Sequence, residues 1–221
     1  GSDIHFAADP NDKMSYFPGS NGQKHYSLLH LNGLYDLETR MYLDAVVHKR
    51  KMSNENGALV QMVERLNDET PTIVIADRAY EAYNTMAHIE RKGWKYLIRM
   101  REKGGILTPF SLPQDGEMDR WMKVVLTKKW NKQVIQLAKE HPGMYRFLNA
   151  NAIFDFLDAQ DKVNIFYPMT FRIVRFRLTE DSWETVITNL NEEQFPPEEL
   201  KKLYHRRWGI ETSFRQLKHT V

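Results

Sequence analysis

At 221 residues the chain has the size of one large domain or one and a half ordinary ones. A hydrophobic content of 42%, with 11 Phe, 10 Tyr and 5 Trp, supports a packed core and excludes a disordered or fibrous chain. Lys and Arg number 31 against 29 Asp and Glu, so the net charge of +2 names no partner and any nucleic-acid surface must be local. Cysteine is absent, which excludes disulfides, thiolate zinc sites and a Cys nucleophile. No apolar run reaches the roughly 20 residues of a membrane span. No charged-then-apolar leader opens the sequence, so a cytoplasmic protein is expected.

Residues 1–24 are polar and rich in turn signals. Tyr26 to Tyr35 and Met41 to Val47 are two apolar runs with a short polar break between them, the pattern of an antiparallel hairpin. Ser53-Asn54 caps a helix with Leu59, Met62, Val63 and Leu66 on one face. Ile73-Val-Ile-Ala76 is short and β-branched and reads as a buried central strand. A helix follows from about Ala82 to Lys92 and closes at Gly93. Trp94 to Met100 is the next strand, so the first hundred residues predict an α/β layer with a mixed sheet.

Residues 102–180 change character. Gly104-Gly105, Pro109, Pro113, Gly116, Pro142 and Gly143 interrupt short β-like pieces at Trp121–Thr127, Tyr145–Phe156 and Thr170–Leu178, with no convincing helix period. These residues predict a β-rich insertion. The end reverts to a strand, Trp183 to Leu190, and one helix from about Glu198 to Lys218 behind Pro196-Pro197.

On that last helix, at about 100° per residue, Leu203, Ile210, Phe214 and Leu217 form a core stripe, and Tyr204, Arg207, Glu211 and Lys218 share the shoulder beside it. An Arg and a Glu four apart are also what a solvated helix carries. Asp77 stands directly after the buried strand, where open α/β sheets bind ligands, but an Asp there also suits a turn cap. Between Trp121 and Lys132, Trp121, Lys123, Lys128, Lys129 and Trp130 interleave aromatics with cations, the composition of a groove for single-stranded nucleic acid or of a solvated hairpin. Arg172, Arg175 and Arg177 on one strand are equally ambiguous. The eight His residues show no ligand spacing, and no phosphate loop implies a nucleotide cofactor.

Tyr204-x2-Arg207-x3-Glu211-x6-Lys218 resembles the Tyr-Arg-Glu-Lys signature of bacterial insertion-sequence DDE transposases, the insertion-sequence-four family. Ile75-Ala-Asp-Arg-Ala-Tyr80 resembles that family's second-aspartate motif, with Ala79 where Gly is usual; Leu29 to Leu37 and Trp208 to Arg215 are similar as well. The resemblance covers nearly the whole chain. It implies a ribonuclease-H-like α/β fold, a mixed sheet flanked by helices. Residues 1–101 and 181–221 would form the core, truncated at both ends, and 102–180 a β-rich insertion subdomain.

The resemblance further implies a catalytic domain for Mg2+-dependent phosphodiester cleavage and strand transfer in cut-and-paste DNA transposition. Two Mg2+ ions, replaceable by Mn2+, would be held by carboxylates, hard oxygen donors suited to that ion. Asp77 and Glu211 are two of the three ligands. The family's first Asp would fall just before Gly1, leaving this chain inactive, or Asp3 would take its place. Tyr204, Arg207, Lys218, Arg215 and Trp130 would contact double-stranded transposon-end and target DNA. A dimer on DNA, associated with the nucleoid, is expected, with no membrane partner. The competing readings are an inactive DNA-binding or assembly remnant and a related Mg2+-dependent nuclease.

Overall fold

The computed structural model describes the chain except residues 21, 23, 68–69, 102–104, 107–109, 111–115, 181 and 221, and the side chains of 219 and 220. The interruptions expected at Gly104, Pro109 and Pro113 lie outside the described residues. The chain divides into two compact units, Gly1–Glu69 with His205–Val221, and Thr70–Tyr204.

The first unit is built on β3 (Tyr26–Asp36), an antiparallel strand flanked by β1 (Ser2–Phe6) on one side and by β2 (Tyr16–Phe17) and β4 (Met41–Lys49) on the other. The β3–β4 hairpin is the one the two apolar runs with a polar break between them predict. Its turn is closed by Asp36, whose carboxylate accepts from the Glu38 N–H and the Thr39 hydroxyl, and Arg40 there adopts φ 59°. β1 and β2 fall in the stretch read as turns only; the polar residues around them masked two short strands that register against β3 reveals. Asn54 caps α1 (Glu55–Arg65) by accepting from the Gly57 N–H, and Ala58, Leu59, Met62 and Val63 form its buried face.

The second unit holds a six-stranded mixed sheet in the order β5 (Ile73–Ala76), β6 (Lys95–Arg99), β10 (Ser182–Thr188), β9 (Tyr167–Thr179), β7 (Met118–Thr127), β8 (Tyr145–Phe147). β5 with β6 and β7 with β8 are parallel, and the other pairs are antiparallel. β5 and β6 are joined by α2 (Tyr83–Arg91). That helix ends as predicted at Gly93, φ 79°, with the Gly93 N–H on the Glu90 carbonyl and the Trp94 N–H on the Ile89 carbonyl. Val174, Phe176, Leu97, Val186, Leu190, Leu200 and Tyr204 form one core cluster.

Three sequence expectations differ from this architecture. The hairpin β3–β4 does not share a sheet with β5 and β6. Residues 102–180 do not pair among themselves alone: β7 and β9 join β5, β6 and β10 in one sheet, so the division by contacts falls at 69/70 and 204/205 instead of around 102–180. That segment also contains a helix, α3 (Lys132–Glu140), capped by Asn131, while only Tyr145–Phe147 of the piece read as Tyr145–Phe156 is a strand. In α3 the apolar positions Val134, Leu137 and Ala138 do recur at helical spacing behind the Asn131 cap, but over only nine residues.

The helix expected from Glu198 to Lys218 is two: α4 (Pro197–His205) and α5 (Trp208–Thr220). Between them the Gly209 N–H bonds the Arg206 carbonyl and the Ile210 N–H the Arg207 carbonyl, the tighter pattern that ends one helix and begins another. No helix of the described residues is long and apolar enough to cross a membrane.

Candidate active site

Asp77 leaves the sheet at the carboxyl end of β5, the end at which parallel α/β sheets bind ligands. Its backbone is extended. One carboxylate oxygen accepts from the Ala79 N–H at 2.8 Å, and its carbonyl accepts from the Tyr80 N–H at 3.1 Å. It therefore does cap the short turn Arg78–Tyr80, and that bond engages one of its two oxygens. The side chain is half-buried. Ala79 fits without strain, because Arg40 is the only non-glycine among the described residues with positive φ.

Glu211 lies in the first turn of α5 and accepts from Arg207 Nη1 at 2.5 Å. The Arg207 side chain is 12% exposed and Glu211 37%, and the guanidinium also lies over the Trp208 ring at 5.3 Å. Across α5 from Glu211 the Ser213 hydroxyl donates to the Tyr42 hydroxyl at 2.8 Å, and Phe214, on the flank between them, packs 6.0 Å from the Tyr42 ring. Gly209 carries no side chain where a Cβ would come within 2.8 Å of Leu37. These contacts fix α5 on the β3–β4 hairpin. Glu211, Arg215 and Lys218 then share one face of α5, within about 60° of each other at about 100° per residue. Arg215 and Lys218 are exposed.

Tyr204 is not on that face. The break at Arg206-Arg207 puts Tyr204, expected as a DNA contact, on α4, where it is 6% exposed within the core cluster of the second unit. Leu203 packs against the same cluster, and Leu217 is 36% exposed, so the expected stripe on one long helix dissolves into two shorter faces.

Asp77 and Glu211 belong to different units. Among the described residues no group of three or more His, Asp or Glu is arranged to hold a metal ion. Both carboxylates nevertheless supply the hard oxygen donors that Mg2+ takes, and neither is sealed from solvent. Asp3 is different. Its Oδ1 bonds His30 Nδ1 at 2.6 Å and its Oδ2 accepts from Arg50 Nε at 3.0 Å. A cation there would face Arg50 and a histidine drawn toward its charged form, which makes Asp3 a poor ligand. His30 Nε2 in turn bonds Glu55 Oε1 at 2.9 Å. Nothing in the sequence announces this cluster, because residues 3, 30, 50 and 55 meet only through β1–β3 pairing and the α1 approach.

The basic and aromatic segment is partly inward-facing. Lys128 Nζ donates to the Phe154 carbonyl and Lys129 Nζ to the Ala159 carbonyl. Trp121 Nε1 donates to Glu192 at 2.7 Å. Trp130 is 57% exposed and lies 5.4 Å from the ring of Phe147, itself 47% exposed, while Lys123 and Lys132 are exposed. Phe147 was missed in the sequence because it belongs to a different strand. Of the three arginines of β9, Arg172 is fully buried, its guanidinium on Asp119 and the Phe195 carbonyl; Arg175 donates to Thr185 and Arg177 to the Glu180 carbonyl.

The model of the family described as Transposase DDE domain matches residues 5–220. The six-stranded mixed sheet flanked by helices is consistent with the ribonuclease-H-like fold of such transposases. No curated protein matches the chain.

Proposed function

The chain belongs to the transposase DDE-domain family, and on that premise we propose that it carries out Mg2+-dependent cleavage and strand transfer at transposon ends, as an insertion-sequence-four type enzyme of cut-and-paste transposition. The observation that carries this reading is Asp77 at the carboxyl end of β5, half-buried, with one of its two oxygens committed to its own turn. The Tyr204, Arg207, Glu211, Lys218 spacing supports the assignment within the family, although Tyr204 serves the core.

Asp77 and Glu211 would hold Mg2+, with Mn2+ as a substitute, and the bound ions would lower the pKa of a water or 3′-hydroxyl and stabilise the leaving oxygen of an in-line displacement. The protein's own part is charge placement. Arg207 neutralises Glu211 while no other cation is near. Its planar fork can grip a phosphate bidentately, as can that of Arg215, and Lys218 adds a point charge on the helix face it shares with Arg215. The exposed Trp130 and Phe147 rings offer a surface on which an unpaired base can stack. A dimer pairing two double-stranded DNA ends in the bacterial cytoplasm completes the proposal.

The test is nicking of supercoiled plasmid by the chain in Mg2+ or Mn2+. Asp77→Ala and Glu211→Ala must each abolish nicking. Nicking that survives either substitution overturns the assignment. A protein that neither binds divalent ions nor nicks points instead to a DNA-binding remnant, and nicking indifferent to transposon ends points to a different nuclease.

A further inference from the structure

Four residues after Asp77 stands a carboxylate that the proposed chemistry does not use. Glu81 is 8% exposed. Its Oε2 accepts from the Arg101 backbone N–H at 2.6 Å and its Oε1 from the Ile106 backbone N–H at 2.5 Å. Both amides belong to the chain that leaves β6, the strand beside β5. Arg101 also returns a bond, its Nε donating to the Arg78 carbonyl at 3.2 Å. Gly105 sits where any Cβ would run into the Glu81 carboxylate.

A buried carboxylate is costly unless every lone pair facing the protein is used. Burial pushes the Glu81 carboxyl above the usual range, against the pull of the two amides. A residue needed only to fill this space would be apolar. A carboxylate offers two acceptor oxygens and no donor of its own, so each oxygen can take one backbone N–H, and here the two amides are five residues apart. The result ties the exit of β6 to the turn that holds Asp77. The turn is pinned at its start by the Asp77 cap and at its end by Glu81.

We propose that Glu81 is a positioning residue for Asp77. By clamping the Arg78–Tyr80 turn onto the chain at Arg101 and Ile106, it fixes the direction in which the Asp77 carboxylate is presented to a divalent cation. The proposal rests on the reading of Asp77 as a metal ligand. Residues that orient a ligand typically change metal affinity by roughly 10-fold to 100-fold when replaced. Glu81→Gln keeps the size of the side chain but turns an N–H donor toward one of the two amides.

The experiment measures Mn2+ binding by electron paramagnetic resonance, at low temperature and neutral pH. The proteins are the unaltered chain, Asp77→Ala, Glu81→Gln and Gly105→Ala. Backbone hydrogen exchange at Arg101 and Ile106 is read in parallel. The expected result is loss of Mn2+ binding in Asp77→Ala. In Glu81→Gln and Gly105→Ala, binding weakens about 10-fold and exchange at Ile106 quickens, with the fold retained by circular dichroism. If Glu81→Gln does not fold, Gly105→Ala, whose Cβ would displace the Glu81 carboxylate, carries the test. If Asp77→Ala removes Mn2+ binding and the folded clamp variants bind as the unaltered chain does, the positioning role is overturned and the metal reading stands. If Asp77→Ala binds Mn2+ unchanged, the metal reading fails and the positioning role with it.

Discussion

Arg207 reaches across the first turn of α5 to Glu211, its Nη1 2.5 Å from the carboxylate Oε1. The arginine is nearly buried and the glutamate partly open, so a cation approaching Glu211 from solvent meets a carboxylate already shared with a guanidinium. Arg207 and a divalent ion therefore compete for one group. Arg207→Gln should tighten Mn2+ binding several-fold while weakening DNA binding, with the salt slope of DNA affinity falling by about 0.9 for the one lost phosphate contact. Calorimetric titration of Mn2+ and DNA affinity at three salt concentrations would check both halves.

His30 makes stability depend on pH. Its bond to Glu55 raises its pKa; burial opposes this, and the bond to Asp3 reinforces it. A histidine whose folded pKa is raised gives stability that is complete below its unfolded value, about 6.5, and is lost as pH rises through the folded value. The denaturation midpoint should therefore fall between about pH 6.5 and alkaline pH. His30→Gln should flatten that fall. An unaltered pH profile in the variant would show that the cluster contributes no linkage. The partners act at the other end. Burial works against Asp3, but the His30 and Arg50 bonds win and lower its pKa, and the His30 bond lowers that of Glu55. Their contribution is present above the ordinary carboxylate range and is lost as pH falls through the lowered values.

Arg172 is fully buried and meets Asp119 through both its Nε and its Nη2. Removing the partner leaves a buried guanidinium held only by the Phe195 carbonyl. Asp119→Ala should cost about 3 kcal/mol, the lower end expected for breaking a buried pair, because Asp119 keeps some contact with water. Arg172→Met in the same background should recover much of that loss, since an apolar side chain of similar volume removes the stranded charge. Urea denaturation of the single and double variants forms the cycle. A double variant no more stable than Asp119→Ala would count against this account.

Trp130 and Phe147 give a sharper test of the DNA surface than the lysines beside them, because Lys128 and Lys129 are spent on backbone carbonyls. Trp130→Ala should weaken binding to a single-stranded or branched DNA end by about 1–3 kcal/mol and leave duplex binding nearly unchanged. Gel-shift titration on the two substrates separates stacking from charge. Equal losses on both would assign Trp130 to folding instead.

Most single elements of this protein are legible in its sequence, because their signals are local. The two apolar runs of β3 and β4, the Asn54 cap, the β-branched run of β5 and the Gly93 stop each depend on residues within one or two turns of each other. The position of Asp77 at the end of β5 follows from the same local reading. α3 and the two short N-terminal strands escape it, since their patterns run over only nine, five and two residues.

What the sequence could not decide is which remote residues meet. Within the run from Glu198 to Lys218, Gly209 is a poor helix former beside the break at Arg206-Arg207, but a lone glycine does not decide whether a helix ends. The break follows from Tyr204 entering one core while Ser213 and Phe214 bind Tyr42 in another unit's hairpin. The Asp3–His30–Glu55 cluster, the Asp119–Arg172 pair and the Glu81 clamp join residues from about 20 to about 50 positions apart, by strand register and loop return alone. Periodicity sets what each segment becomes, and tertiary packing sets which side chains become one another's partners. Hydrogen bonds and ion pairs act over a few ångströms, and only the folded chain brings such distances about.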